Sequence, residues 1–134
     1  MGAQPERRKI LNEVADTFAQ AWLTGDWDSY FAHYADDFVF QYPVPPLVGR
    51  WTGDDAIKRR NQWRETFKDV RLNKTGEDIR LFDDPWVVVC NHSESTVNGE
   101  VRKNILTTVM HRVNDEGRVV EYREFLGGLS VRPS

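Results

Sequence analysis

The chain has 134 residues, 40% hydrophobic and 29% charged, with five Trp, four Tyr and seven Phe; this excludes the disordered and fibrous classes and predicts a single domain over residues 1–134 whose core needs no disulfide or structural metal. Eighteen basic against 21 acidic residues give a net charge of −3, the wrong sign for holding nucleic acid by charge. No apolar run reaches the roughly 20 residues a membrane span needs, Met1 to Lys9 has no apolar stretch behind it to make a secretory signal, and a lone cysteine, Cys90, suits a reducing cytoplasm.

From Glu6 to Leu23 the apolar residues Ile10, Leu11, Val14, Phe18, Ala21 and Trp22 step by three and four, which predicts an amphipathic helix. Thr24-Gly25 ends it, glycine being the natural left-handed cap. Asp26 then caps a shorter helix carrying Trp27, Tyr30, Phe31 and Tyr34. Phe38 to Tyr42 reads as an aromatic strand stopped by Pro43, and Pro43-Val44-Pro45-Pro46 as a rigid loop. Gly53-Asp54-Asp55 opens a third helix that runs to about Thr66. The second half alternates with period two. It predicts strands over Val70–Phe82, Trp86–Val97, Arg102–Val113 and Arg118–Leu126, separated by hairpin residues at 83–85, 98–100 and 114–117. Helices followed by a meander predict an α+β fold, with the helices on one face of a curved sheet.

Dispersed histidines and a single cysteine, with no H-x-x-x-H or C-x-x-C, form no metal signature. There is no glycine-rich phosphate loop and no nucleophile elbow, so neither a metal nor an organic cofactor is expected. Asp36-Asp37 and Asp54-Asp55 suit turns and helix starts better than paired catalytic carboxylates.

Gly25-Asp26-Trp27-Asp28, Tyr34-Ala35-Asp36-Asp37-Phe38, Gly49 to Ile57 and Gly117 to Phe125 together resemble the SnoaL-like and ketosteroid-isomerase-like superfamily, whose founding fold is the nuclear-transport-factor-two cone. The likeness covers residues 6 to 128. It implies three N-terminal helices packed in the concave face of a curved, mainly antiparallel sheet, a cone-shaped α+β barrel around a pocket, and a homodimer. Members include isomerases, cyclases, dehydratases, epoxide hydrolases and binding-only proteins, so the fold leaves function open.

Carried onto this sequence, the isomerase base falls at Tyr42 and its oxyanion Tyr and Asp at Phe18 and Val109. All three are replaced, which disfavours that mechanism. The epoxide hydrolases' Arg and Asp fall on Ser93 and Ser95. A looser match to the cyclases survives, because Glu124 and His111 supply an acidic group and a histidine on neighbouring strands.

The family's pocket parity turns Val120, Tyr122, Glu124 and Leu126 inward, with Thr107, Val109 and His111 beside them. A four-residue turn at 114–117 pairs Val113 with Arg118, Val109 with Tyr122 and Thr107 with Glu124. A three-residue turn at 98–100 sets Asn91 opposite Thr107, giving an Asn91–Thr107–Glu124 row across the concave face. Arg102, Thr108, Met110, Arg112, Glu121 and Arg123 then face outward, as do His92 and Glu94.

Glu124, His111 and Tyr42 are the candidate catalytic residues. Glu124 qualifies because a buried carboxyl titrates near neutral pH. His111, near the rim, would exchange protons around pH 7, and Tyr42 would donate a hydrogen bond to a substrate oxygen. Asn91, Tyr122, Tyr34, Phe18, Trp22, Thr107 and Val109 are the candidate substrate-binding residues. The expected function is cofactor-independent acid–base chemistry of the isomerase, cyclase or dehydratase type on a small hydrophobic molecule bearing a carbonyl or hydroxyl. The alternative is a non-catalytic binding module of the same fold. No nucleic-acid or membrane partner is expected.

Overall fold

The computed structural model of the chain describes residues 4–44, 47–97, 99–103 and 107–126; within these, the side chains of 73–78, 91–93, 95–97 and 102–103 are not among those described. Helix α1 spans Pro5–Thr24 and buries Leu11, Val14, Ala15 and Ala21 along one face. Gly25 adopts φ 83°, and its N–H donates to Ala21 O at 2.7 Å. That left-handed cap turns the chain straight into α2, Trp27–Phe31, whose N-cap Asp26 accepts from the Ser29 N–H. Helix α2 ends before Tyr34, which belongs to the next strand. The third helix, α3, runs from Gly53 to Phe67, with Asp54 and Asp55 in its first turn.

Strand β1 (Tyr34–Tyr42) begins four residues earlier than the alternation predicted, because Tyr34 already pairs with the last strand. Asp36 and Asp37 therefore lie inside β1, both exposed. A three-residue strand, β2 (Gly49–Trp51), pairs antiparallel with β1 and is too short to carry a sequence signal. The meander follows as β3 (Leu72–Asp83), β4 (Trp86–Val97), β5 (Glu100–Lys103), β6 (Thr107–Val113) and β7 (Val119–Leu126). The predicted 102–113 strand is thus two strands. The sheet order is β2-β1-β7-β6-β4-β3, with β5 also on β4; among these pairings only β1–β7 is parallel. Helix α1 packs across β3, β4 and β6, and α3 against β1 and β2. The result is an α+β fold with its helices on one face of a curved, mainly antiparallel sheet.

Register corrects three expectations. Val113 pairs with Val119 rather than Arg118, and Arg112 with Glu121, so Val120 is an extra, bulged residue. The turn is also one residue longer than expected: the Asn114 side chain accepts from the Glu116 and Arg118 N–H groups and closes it. Consequently Glu124 faces Val109, Tyr122 faces His111 and Thr107 faces Leu126, two residues from the expected pairing. Two residues is one full strand period, so the inward set Tyr122, Glu124, Val109 and His111 stands. Val120 and Leu126 do not belong to it, since Val119 is the buried neighbour and Leu126 is 52% exposed. Asn91 does pair with Thr107, but the row ends at Leu126, and the Asn91 side chain lies outside the described residues. The hairpin before β5 is tighter than expected, with Val97 opposite Glu100.

Candidate functional site

The inner face of the sheet is aromatic and aliphatic, with a few polar groups set deep in it. Phe38, Phe40 and Tyr42 come from β1, Val87 and Val89 from β4, Val109 and His111 from β6, and Tyr122 and Glu124 from β7, all buried. Phe18 of α1 closes over them, its ring centroid 5.1 Å from His111, 5.0 Å from Tyr30 and 5.8 Å from Tyr122. Trp22 extends this wall, edge-on to Trp27 at 4.9 Å and Trp63 at 5.6 Å. Edge-to-face packing of this kind favours rigid, water-poor surroundings.

Two hydrogen-bonded clusters occupy that face. In the first, Tyr30 Oη lies 2.5 Å from His111 Nε2 and 2.7 Å from Tyr34 Oη. His111 is fully buried, not at a rim, and burial lowers its pKa to about 3. It is therefore a neutral imidazole at pH 7. Burial likewise raises the Tyr30 and Tyr34 phenols, so both keep their hydrogens. His111 Nδ1 has no hydrogen-bond partner among the described residues, and neither does the indole nitrogen of Trp27. Buried polar atoms are nearly always satisfied, and an orphan costs about 1–3 kcal/mol. Both atoms belong to the aromatic cluster around Phe18.

In the second cluster the Tyr122 hydroxyl donates to the Glu124 carboxyl. Glu124 is 9% exposed; burial raises its pKa to about 7, and the Tyr122 hydrogen bond opposes the rise. Tyr42 is also buried, with its phenol raised first by burial and then by the Glu124 charge nearby. Tyr122 thus bonds the Glu124 carboxyl, while Tyr42 stands near enough to feel its charge. Thr107 lies half-buried at the end of β6, beyond Glu124, and Val109 faces Glu124 directly.

The structure brings Glu124, Tyr42, Tyr122, Val109 and Phe18 together, and holds His111 with Tyr34 in the adjoining cluster. Sequence reasoning missed Tyr30, which joins His111 to Tyr34. Nothing in the helix pattern distinguishes Tyr30 from its aromatic neighbours. Among the described residues no group of His, Cys, Asp and Glu is placed to hold a metal ion, and no helix is long and apolar enough to cross a membrane.

Comparison with solved structures finds the same fold repeatedly. An NTF2-like protein from Anabaena variabilis matches with TM-score 0.75 and 21% identity over 96% of each chain. An LEH-like epoxide hydrolase from M. tuberculosis matches with TM-score 0.66 and 18% identity, over 92% of this chain and 86% of that one. A candidate SnoaL-like polyketide cyclase from Mesorhizobium loti matches with TM-score 0.61 and 16% identity, over 88% and 97%. At these identities the likeness is one of fold. No curated protein matches. The model of the SnoaL-like domain matches residues 14–122, most of the chain, ending two residues before Glu124: the protein belongs to the SnoaL-like domain family.

Proposed function

We propose that this protein is a cofactor-independent acid–base enzyme of the isomerase, cyclase or dehydratase type, acting on a small apolar molecule with a carbonyl or hydroxyl oxygen. The observation that carries this reading is the Glu124 carboxyl, buried on the inner face beside two phenols and raised to about 7. A general acid or base works best when its pKa lies near the operating pH. Glu124 takes a proton from the carbon next to the substrate carbonyl and returns it elsewhere on the same skeleton. Tyr42, whose phenol stays protonated, donates a hydrogen bond to the oxygen on which negative charge develops. Tyr122 holds the carboxyl in place. His111 serves as a neutral hydrogen-bonding group through its unpartnered Nδ1, and Phe18, Trp22, Tyr34 and Val109 supply the apolar wall. Asn91 and Thr107 remain candidates for contact with the substrate. We place the enzyme in the cytoplasm, which its single cysteine suits, and as a homodimer, following the family resemblance.

A second reading, a binding module without turnover, is favoured by the neutral, fixed state of His111 and by the residues at the isomerase positions, Phe18, Tyr42 and Val109. Tryptophan-fluorescence titration with a panel of hydrophobic carbonyl compounds, followed by product analysis, separates the two. A binder converted by wild type and left intact by Glu124→Gln supports the enzyme; a binder recovered unchanged by wild type across the neutral range supports the module.

A further inference from the structure

The three polar groups of the first cluster hold a fixed number of hydrogens, and that number limits which way they can point. Tyr34, Tyr30 and the neutral His111 each carry one, since a phenol has a single O–H and a neutral imidazole a single N–H. Two contacts join them, Tyr34 Oη to Tyr30 Oη at 2.7 Å and Tyr30 Oη to His111 Nε2 at 2.5 Å, all within the buried core. If Tyr34 donates to Tyr30 and Tyr30 donates to Nε2, the hydrogen on Nδ1 is the one left unspent. The reverse order strands two atoms. One is a bare Nδ1; the other is the Tyr34 hydrogen, because Tyr30 is that hydroxyl's one hydrogen-bond partner among the described residues. If Tyr30 accepts from both sides, its own buried hydrogen is stranded along with Nδ1. The first order costs least, because each buried orphan is penalised.

A charge at the outer end of the chain selects the same order. Arg60 of α3 lays its guanidinium against Phe31, Tyr34 and Phe38, its carbon 5.3, 6.0 and 5.1 Å from their ring centroids. Burial dominates the raised pKa of the Tyr34 phenol, and the Arg60 charge pulls against it, so the cation acts on that oxygen. A hydroxyl beside a cation turns its lone pairs toward the charge and its hydrogen away, here toward Tyr30. The two nitrogens of an imidazole face different ways, so Nδ1 points away from Tyr30. His111 lies across from Tyr122, and Glu124 across from Val109, one strand repeat along the same face, about 7 Å. We propose that Tyr34 and Tyr30 hold His111 in its Nδ1–H form, a buried donor for a second ligand oxygen that has no hydrogen of its own, such as a ketone. This rests on the proposed function, in which the acidic carbon lies at Glu124. The substrate is then a small dicarbonyl whose deeper oxygen lies about 7 Å from that carbon.

Nuclear magnetic resonance of the protein with heavy-nitrogen histidine tests the tautomer. At neutral pH the ring signals that vanish in His111→Gln should show, in wild type, Nδ1 protonated and Nε2 bare; the opposite assignment would overturn the proposal. Tyr30→Phe removes the donor to Nε2, so its two nitrogens should shift toward each other as the tautomers mix. Tyr34→Phe keeps the Tyr30 contact and should move them the same way by less. An unchanged Nδ1–H signature in both would remove the positioning role from the two phenols. Binding tests the donor. para-Diacetylbenzene should bind about tenfold more tightly than para-ethylacetophenone, which keeps the shape and one carbonyl but has a methylene in place of the other. His111→Gln, which keeps a polar group toward Tyr30 and loses the one at Nδ1, should erase that preference. Equal binding of the two compounds by wild type, or none of either, would overturn the ligand assignment. Neither readout involves turnover, so a failure of the catalytic reading would appear separately, as unconverted ligand with tautomer and preference intact.

Discussion

Tyr122 and Glu124 stand two residues apart on β7, on one face, and the phenol donates its hydrogen to the carboxyl. A carboxyl held this way in apolar surroundings has a pKa near 7 rather than 4.5. Glu124→Gln keeps the shape and the neighbour while removing the proton exchange. Turnover of any converted ligand should fall by about 10²–10⁴, with the ligand still bound and the circular dichroism spectrum unchanged. Product formation under saturating ligand measures it.

The same two inner clusters predict an unusual stability profile. Glu124 has a folded pKa above its unfolded value, so its contribution is whole below about 4.5 and is lost as pH rises through about 7, by up to about 3 kcal/mol. His111 has a folded pKa below its unfolded value of 6.5. Its contribution is whole above that and is lost as pH falls toward about 3, by up to about 5 kcal/mol. The two slopes oppose each other between 4.5 and 6.5. Urea titrations across pH should show Glu124→Gln losing the decline at the neutral end, and His111→Asn losing much of the decline at the acid end.

Tyr30 joins His111 to Tyr34, so Tyr30→Phe leaves two buried polar groups short of a partner. A loss of about 1–3 kcal/mol is expected in urea unfolding. Tyr34→Phe, at the end of the chain of hydroxyls, should cost less.

Tyr42 donates to the developing oxyanion in the proposed reaction. Tyr42→Phe should lower kcat by about 10²–10³, with KM little changed, since the bond strengthens only in the transition state. An equal fall in binding and none in kcat would make Tyr42 a wall residue.

Gly25 caps α1 at a positive φ, and a Cβ there would lie 2.1 Å from Arg71 Nη2. Gly25→Ala must adopt a strained conformation and push Arg71 away from the carbonyls of Lys68 and Val70. About 1–2 kcal/mol of stability should be lost in denaturant titrations.

The helices were legible because their signals are local: the 3.6-residue period, Gly25 and Asp26 all act within a turn or two. Strand β2 and the early start of β1 were not, since both depend on pairing with distant strands. Tyr122, Glu124, Val109 and His111 face inward as expected although the register was wrong, because an error of two preserves the face; Val120 and Leu126 of the expected set do not. Alternation grouped Glu124 with Tyr122, and the family resemblance chose which face was inner. The neutral state of His111 was not legible, since it follows from Phe18 and Tyr30 closing over it from two helices.

The bulge at Val120 has a consequence for how such a chain can change. It lets Val119 and Tyr122 both point inward although an odd number of steps separates them. Deleting one residue between Val113 and Glu121 could be absorbed by flattening the bulge. A single deletion past the bulge, between Glu121 and Glu124, has no such slack and would turn Glu124 out into solvent. Length variation is therefore expected before Glu121 rather than between it and Glu124.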